Sequence, residues 1–307
     1  MVERPITHLR YVALGVPDLA GQASFFQNEW GLTRVSDDSG VVHFAAEGSP
    51  EPFIVRVRQA AERRVDLISF GAKDAATVDA LTEDLVAAGV SIVREPGALD
   101  SPSGGYGVRF FDLDGRTIEV SSDVAHRQHR RIEERESIPV RLSHVVVNTT
   151  DPTATKDWYE RLLGFRLSDS LGDDMHFMRC SPLHHSFAIA RSGYHSLNHV
   201  SFEMRGFDEY MRGTGRLLRV GTTMLWGPGR HLAGDNTFSY FLDPHGNTVE
   251  YTTALEEIDE DTWHPHVYDL AQPEVQDQWG TAGAIDDIVN NGKFATRDPG
   301  LFVAPPI

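Results

Sequence analysis

Residues 142–165, "LSHVVVNTTDPTATKDWYERLLGF", repeat without a gap the pattern of residues 9–32, "LRYVALGVPDLAGQASFFQNEWGL". Asp18 falls on Asp151, Phe25 and Phe26 on Trp158 and Tyr159, and Gly31 on Gly164. Each copy opens with a β-rich run and continues into a helix. In the second copy Asp151 suits the N-cap and Pro152 the first helical position. Trp158, Tyr159, Leu162 and Leu163 then recur at helical spacing, and Gly164 can close the helix. One position breaks the likeness: His144 stands where the first copy has Tyr11.

The repeat extends beyond this stretch. "LISFGAKDAATVDALTEDLVAAGV" and "HVSFEMRGFDEYMRGTGRLLRVGT" both read as strand, helix and glycine-terminated turn. Each copy ends on a hairpin, "FFDLDGRTIEV" and "YFLDPHGNTVEY", with Asp-Gly or His-Gly at the turn. The expected architecture is α+β, with four βαβββ modules in two tandem domains. The boundaries follow as residues 1–124 for the first domain, 125–139 for a linker and 140–258 for the second domain. Residues 259–307 form a tail. The charged run "AHRQHRRIEERESIPV" is expected to be a linker helix plus connector. The tail, rich in Pro, Asp and aromatics, is expected to pack over the second domain.

Composition narrows the function classes. The chain has 307 residues, enough for two cores, with 45 Asp plus Glu against 28 Lys plus Arg. A net charge of −17 argues against nucleic acid or an anionic membrane as partner. The single cysteine, Cys180, rules out an intrachain disulfide and fits a cytoplasmic setting. The first residues have no long apolar run, and no stretch approaches the roughly 18 apolar residues of a membrane span.

Comparison of the copies isolates three polar strand residues. The second copy has His144, His199 and Glu250; the first has Tyr11, Leu67 and Glu119. Alternation puts Val200, Phe202 and Met204 on one face and His199 and Ser201 on the other. Likewise Val249 and Tyr251 oppose Thr248, Glu250 and Thr252. Two imidazoles and a carboxylate on an inner surface are costly unpaired, and a divalent metal resolves that cost. Two histidines and one carboxylate with open positions is the ligand set of non-haem Fe(II) oxygenases. The plainer alternative stays open, because a strand histidine is more often a hydrogen-bonded residue and Glu119 holds the same place with no metal implied.

These residues together resemble the vicinal oxygen chelate superfamily, and within it the type I extradiol ring-cleavage dioxygenases, over roughly residues 6–258. The resemblance implies two vicinal oxygen chelate domains, each an open curved mixed β-sheet barrel with helices outside, with the metal site kept only in the second. It implies His144, His199 and Glu250 as ligands of Fe(II), with Mn(II) tolerated by the same set. "LHHSFAIA" resembles the segment that carries the acid/base, here His185. "GPGRHLAGDNTFSYFLDPHGNTVEY" resembles the stretch that supplies a histidine and a tyrosine beside the site, here His231 and Tyr240. The loop between His185 and His199 is one residue shorter than in the biphenyl-diol enzymes. The implied reaction inserts both atoms of O2 into an aromatic diol with meta ring cleavage. The pocket is expected to include Val146, Phe177 and Trp226, with Arg179, Arg191 or Arg230 as candidates for holding a ring carboxylate. A homo-oligomer and a lid role for the tail are implied by resemblance alone. Rival readings are a glyoxalase-like isomerase, a thiol transferase, and a non-catalytic aromatic-binding or resistance protein. His264, His266, His245, His176 and His195 are expected to stand outside the site.

Overall fold

The computed structural model describes residues 5–38, 40–285 and 297–306. The first domain has strands β1 (Ile6–Val16), β2 (Thr33–Asp38), β3 (Val41–Ala45), β4 (Val55–Gln59), β5 (Arg64–Ala72), β6 (Ile92–Ala98), β7 (Tyr106–Phe111) and β8 (Thr117–Ser122). The second has β9 (Pro139–Thr149), β10 (Arg166–Leu171), β11 (Met175–Arg179), β12 (Phe187–Arg191), β13 (Ser196–Met204), β14 (Met224–Arg230), β15 (Thr237–Leu242) and β16 (Thr248–Thr253). A short strand from the tail, β17 (His266–Tyr268), is added at its edge.

The sheets are copies of one another. Read from one edge, the first runs β6-β7-β8-β5-β1-β4-β3-β2 and the second β14-β15-β16-β13-β9-β12-β11-β10-β17. In each, two βαβββ modules meet through an antiparallel central pair, β1 with β5 or β9 with β13. Each central strand also has a parallel neighbour from its own module. The sheets are open and mixed, as the resemblance implies.

Helix α3 (Pro152–Leu163) follows the local code. The Asp151 side chain accepts from the Ala154 N–H at 3.0 Å, Pro152 fills the first turn, and Gly164 ends it at φ 68°. In the first copy α1 (Leu19–Ser24) passes into a π-helical turn over Phe25–Trp30, closed by Gly31 at φ 91°. The later module helices are α2 (Ala75–Ala87) and α4 (Phe207–Arg219).

The two domains share one core. Trp30, fully buried, lies 4.0 Å ring to ring from Tyr251 and edge-on to Phe202 and Phe241 of the second sheet. Reciprocally, Tyr159 of α3 donates to Asp112 Oδ2 at 2.9 Å, and Phe165 meets Phe70 at 5.2 Å. Each copy's first helix therefore reaches across to the other copy.

Two expectations need correction. The linker is not helical: residues 125–138 run as coil with a turn at 134–135. Arg127 pairs with buried Glu47 at 2.9 Å, and the Arg130 N–H donates to the same carboxylate. Positive φ at Arg135 and Ser137 excludes a continuous helix, and the run has no apolar stripe to stabilise one. The tail also covers more than the second domain. Asp298 Oδ2 accepts from the Val65 N–H at 3.0 Å, and the Phe302 N–H donates to Gly115 O at 2.7 Å, so its end returns to the first domain. Among the described residues no helix is long and apolar enough to cross a membrane.

Candidate metal centre

Strand order alone brings the site together. Across β15, β16, β13, β9 and the segment leading into β12, the inner face presents in turn Tyr240, Glu250, His199, His144 and His185. Tyr240 is the cross-strand partner of Glu250, and Ser201 partners both Glu250 and His144. His199 pairs with Val146 beside a register shift at Asn198. A bulge adds a residue to one strand and re-aims its neighbours, here at the point where a ligand must face inward.

His144 Nε2 lies 3.0 Å from Glu250 Oε2, His199 Nε2 lies 3.4 Å from the same oxygen, and the two nitrogens are 3.3 Å apart. Among the described residues these three are the one group able to share a metal ion. Ligand atoms about 2.1 Å from one ion and at right angles to each other stand about 3 Å apart, so the donors are spaced as such an ion requires. Both Glu250 oxygens are buried, and the groups that face them are two imidazoles and the Tyr240 phenol, with no guanidinium or ammonium among the described residues to balance the charge, an arrangement that a cation completes. Burial would raise its carboxyl, but the adjacent His144 and His199 hold it well below the usual range.

The other ring nitrogens are held from behind, as metal-ligating imidazoles usually are. His199 Nδ1 donates to Asn198 Oδ1 at 2.7 Å, and Asn198 in turn donates to Asn148 Oδ1 at 2.9 Å. His144 Nδ1 meets Ser143 Oγ at 3.1 Å. Asn198 and Ser143 are absent from the sequence expectations, since only the bulge and the strand register reveal their position.

The first domain shows the same places without the ligands. Tyr11 pairs with Ser69 and Ala13 with Leu67, matching His144 with Ser201 and Val146 with His199. Glu119 there accepts from Tyr11 Oη at 3.0 Å, Ser69 Oγ at 2.9 Å and Arg109 Nε at 2.8 Å. Its charge is met by a guanidinium, so it needs no metal.

A cavity of about 310 Å³ opens beside the triad. His144, Val146, Phe177, His185, His199, Trp226, His231 and Tyr240, all named from sequence, line it. His185 lies ring to ring 4.2 Å from His144 and 5.0 Å from Phe177. Burial, then the surrounding imidazoles, lower His185 well below its ordinary value. Burial takes His231 down to about 4 and raises Tyr240 well above a free phenol, an effect Glu250 strengthens. His231 Nδ1 donates to Gln276 O at 2.9 Å, leaving Nε2 to accept from Tyr240 Oη at 3.1 Å. Trp226 stacks parallel to Tyr240, 5.6 Å away. The tail contributes Leu270, Val275, Gln276 and Ile285 to the wall.

The three arginines considered as carboxylate anchors are already engaged. Arg191 pairs with Asp174 at 2.6 Å, Arg230 with Asp235 at 2.6 Å, and Arg179 with Glu260 at 3.0 Å. His245 is half-buried against Asp18 O and His176 is buried on Ser170 Oγ; both stand away from the cavity wall.

The family model described as the Glyoxalase/Bleomycin resistance protein/Dioxygenase superfamily matches residues 8–120 and 141–251. A Mn(II)-bound glyoxalase from Novosphingobium aromaticivorans superposes with a TM-score of 0.92 at 41% identity, covering 98% of both chains. Metapyrocatechase 2 of Cupriavidus necator is 28% identical over 290 residues, 88% of this chain and 88% of that protein. A manganese-dependent 2,3-dihydroxybiphenyl 1,2-dioxygenase of Geobacillus genomosp. 3 is 25% identical over 284 residues, 85% of this chain and 89% of that protein.

Proposed function

The chain belongs to the Glyoxalase/Bleomycin resistance protein/Dioxygenase superfamily, and from that premise we propose that it is an extradiol dioxygenase. It would add both atoms of O2 to a catechol-type diol and open the ring beside the diol, giving a muconic-semialdehyde-type product. The observation that carries this reading is the convergence of His185, His231 and Tyr240 around one cavity beside His144, His199 and Glu250.

His144, His199 and Glu250 would hold one divalent ion, Fe(II) or Mn(II). When bound, that ion supplies Lewis acidity toward the diol and electron exchange with dioxygen. The chain's own residues supply the rest. His185, neutral and buried beside His144, is placed to take a proton from the diol and later return it. Tyr240 keeps its phenolic proton and its oxygen is fixed by His231, so it is a positioned polar group beside the ligands. Leu270, Val275, Gln276 and Ile285 of the tail would roof the cavity and exclude water.

The wall favours a particular diol. Val146, Leu171, Met175, Phe177, Trp226 and Val275 are apolar, and the nearby arginines are neutralised. The cation on the described wall is Arg191, already paired with Asp174, so a carboxylate on the ring would have to compete with that partner for its charge. We therefore assign the site to a catechol with an uncharged, hydrophobic substituent.

The 41% identity to a protein named glyoxalase supports a second reading, a metal-dependent isomerase. The triad contributes one carboxylate, and Asp174, the other carboxylate on the wall, is paired with Arg191. Among the described wall residues that leaves no unpaired carboxylate, so an isomerase would have to move the proton between adjacent carbons with His185. Protein purified without oxygen and loaded with Fe(II) or Mn(II) separates the readings. On adding catechol and air, a dioxygenase consumes O2 and yields a yellow product in equal amounts. An isomerase instead converts a glutathione–methylglyoxal adduct with no O2 uptake.

A further inference from the structure

Behind His185 lies a buried chain of groups that the ligand triad does not use. Asp169 on β10 is at most 1% exposed, and His184 is fully buried. His184 Nε2 is 2.8 Å from Asp169 Oδ2, and His184 Nδ1 is 2.9 Å from His185 Nδ1. The other Asp169 oxygen accepts the His266 backbone N–H at 2.7 Å, a donor that cannot be reversed. His184 is itself clamped: its N–H donates to Glu256 O at 2.8 Å, and Gly234 packs so closely that a Cβ there would sit 2.9 Å from Nδ1.

We propose that Asp169 and His184 are positioning residues that set the tautomer of His185, leaving Nε2 as the bare nitrogen offered to the cavity. The assignment follows from donor and acceptor counting. A carboxylate oxygen accepts, so His184 Nε2 carries the proton. The Nδ1 of a neutral His184 is then an acceptor and must receive the Nδ1–H of His185. A neutral His185 with its hydrogen on Nδ1 has a lone pair on Nε2, the form a general base requires. When Nε2 takes a proton from the diol O–H, the new positive charge is shared along hydrogen bonds that end on a buried carboxylate. The same logic orients the histidine of a serine-protease triad, where the wrong tautomer lowers turnover by about 10⁴-fold.

This inference rests on His185 as the acid/base of the proposed reaction, yet its primary test does not need turnover. Nitrogen chemical shifts of ¹⁵N-histidine protein loaded with Zn(II), a diamagnetic stand-in, report which His185 nitrogen bears hydrogen. The Nδ1–H form is expected in the wild type. In Asp169→Asn the amide must keep its oxygen on the His266 N–H, so its NH2 faces His184 and the chain reverses to give Nε2–H on His185. With the active metal, kcat should fall about 10- to 100-fold while KM and metal content hold. His184→Gln, which retains an acceptor for the Nδ1–H, should recover most of the rate that His184→Phe loses, and it serves as well if Asp169→Asn fails to fold. An Nε2–H tautomer in the wild type, or equal rates in His184→Phe and wild type, overturns the proposal. Absence of ring cleavage alongside the expected tautomer overturns the dioxygenase reading and leaves the tautomer assignment supported.

Discussion

Arg109 Nε lies 2.8 Å from Glu119 Oε2, and it occupies in the first domain the cross-strand place that Tyr240 takes beside Glu250 in the second. A guanidinium thus compensates one buried carboxylate, and on the proposed reading a divalent ion would compensate the other. Glu119 is fully buried, so removing its cation leaves an uncompensated charge. Arg109→Leu is expected to cost about 3–5 kcal/mol in urea unfolding, and Arg109→Leu with Glu119→Leu substantially less. Metal content should not change in either variant. A single-variant loss below about 1 kcal/mol would mean that the hydroxyls of Tyr11 and Ser69 suffice.

Glu250 supplies the converse. Glu250→Ala and His199→Ala should each lose bound Fe(II) or Mn(II), measured by elemental analysis, while keeping the wild-type circular dichroism. Chelation should lower the wild-type Tm, because an ion that binds only the folded state stabilises it by mass action. The same chelator should leave the Tm of Glu250→Ala unchanged; a variant that still loads metal fully places the centre elsewhere.

The paired arginines give a prediction about selectivity. A catechol bearing an alkyl or aryl group should be cleaved with kcat/KM at least about 10-fold above one bearing an acetate group, from the cost of desolvating an unmatched charge. Anaerobic titration, following quenching of Trp226 in the cavity wall, should give the same order of affinities. Preference for the carboxylated diol would show that an arginine exchanges its partner for the substrate.

Histidine 43 makes an acid-sensitivity prediction for the first domain. Burial, then the nearby Arg56, lowers it to about 4 in the folded chain, against about 6.5 when unfolded. Below pH 6.5 the unfolded state therefore binds a proton that the folded state refuses. The stability due to His43 is complete above pH 6.5 and is lost as pH falls toward 4, by up to about 2–3 kcal/mol. Unfolding at pH 7 and pH 4.5 should show a smaller difference in His43→Phe than in wild type, since that change keeps a ring against Phe53.

Much of the fold and the site is legible in the sequence wherever the determining interactions are local. Asp151, Pro152 and Gly164 bound α3 because caps act within one turn. The strand period of two put His199 and Glu250 on the face opposite Val200 and Val249, while the pairing of their two strands is visible only in the fold. What escaped depends on contacts distant in sequence. Asp169 reaches His184 across 15 residues and two strands, and nothing in its own segment marks it as buried. Asn198 matters because of a bulge that no residue pattern announces. The connector's alternating charges resemble those of an exposed helix, but they are spent on Glu47 instead.

The insertion of Trp30 among Phe202, Phe241 and Tyr251 carries a consequence for how such a duplicated chain can change. The upstream copy can do without ligands, since Arg109 balances Glu119 as an ion would, but it cannot do without its shape, because its Trp30 is built into its neighbour's core. It serves as a mould for the working half, so a truncation at Trp30 should disturb the second domain's sheet, which a substitution at Tyr11 or Leu67 would leave in place.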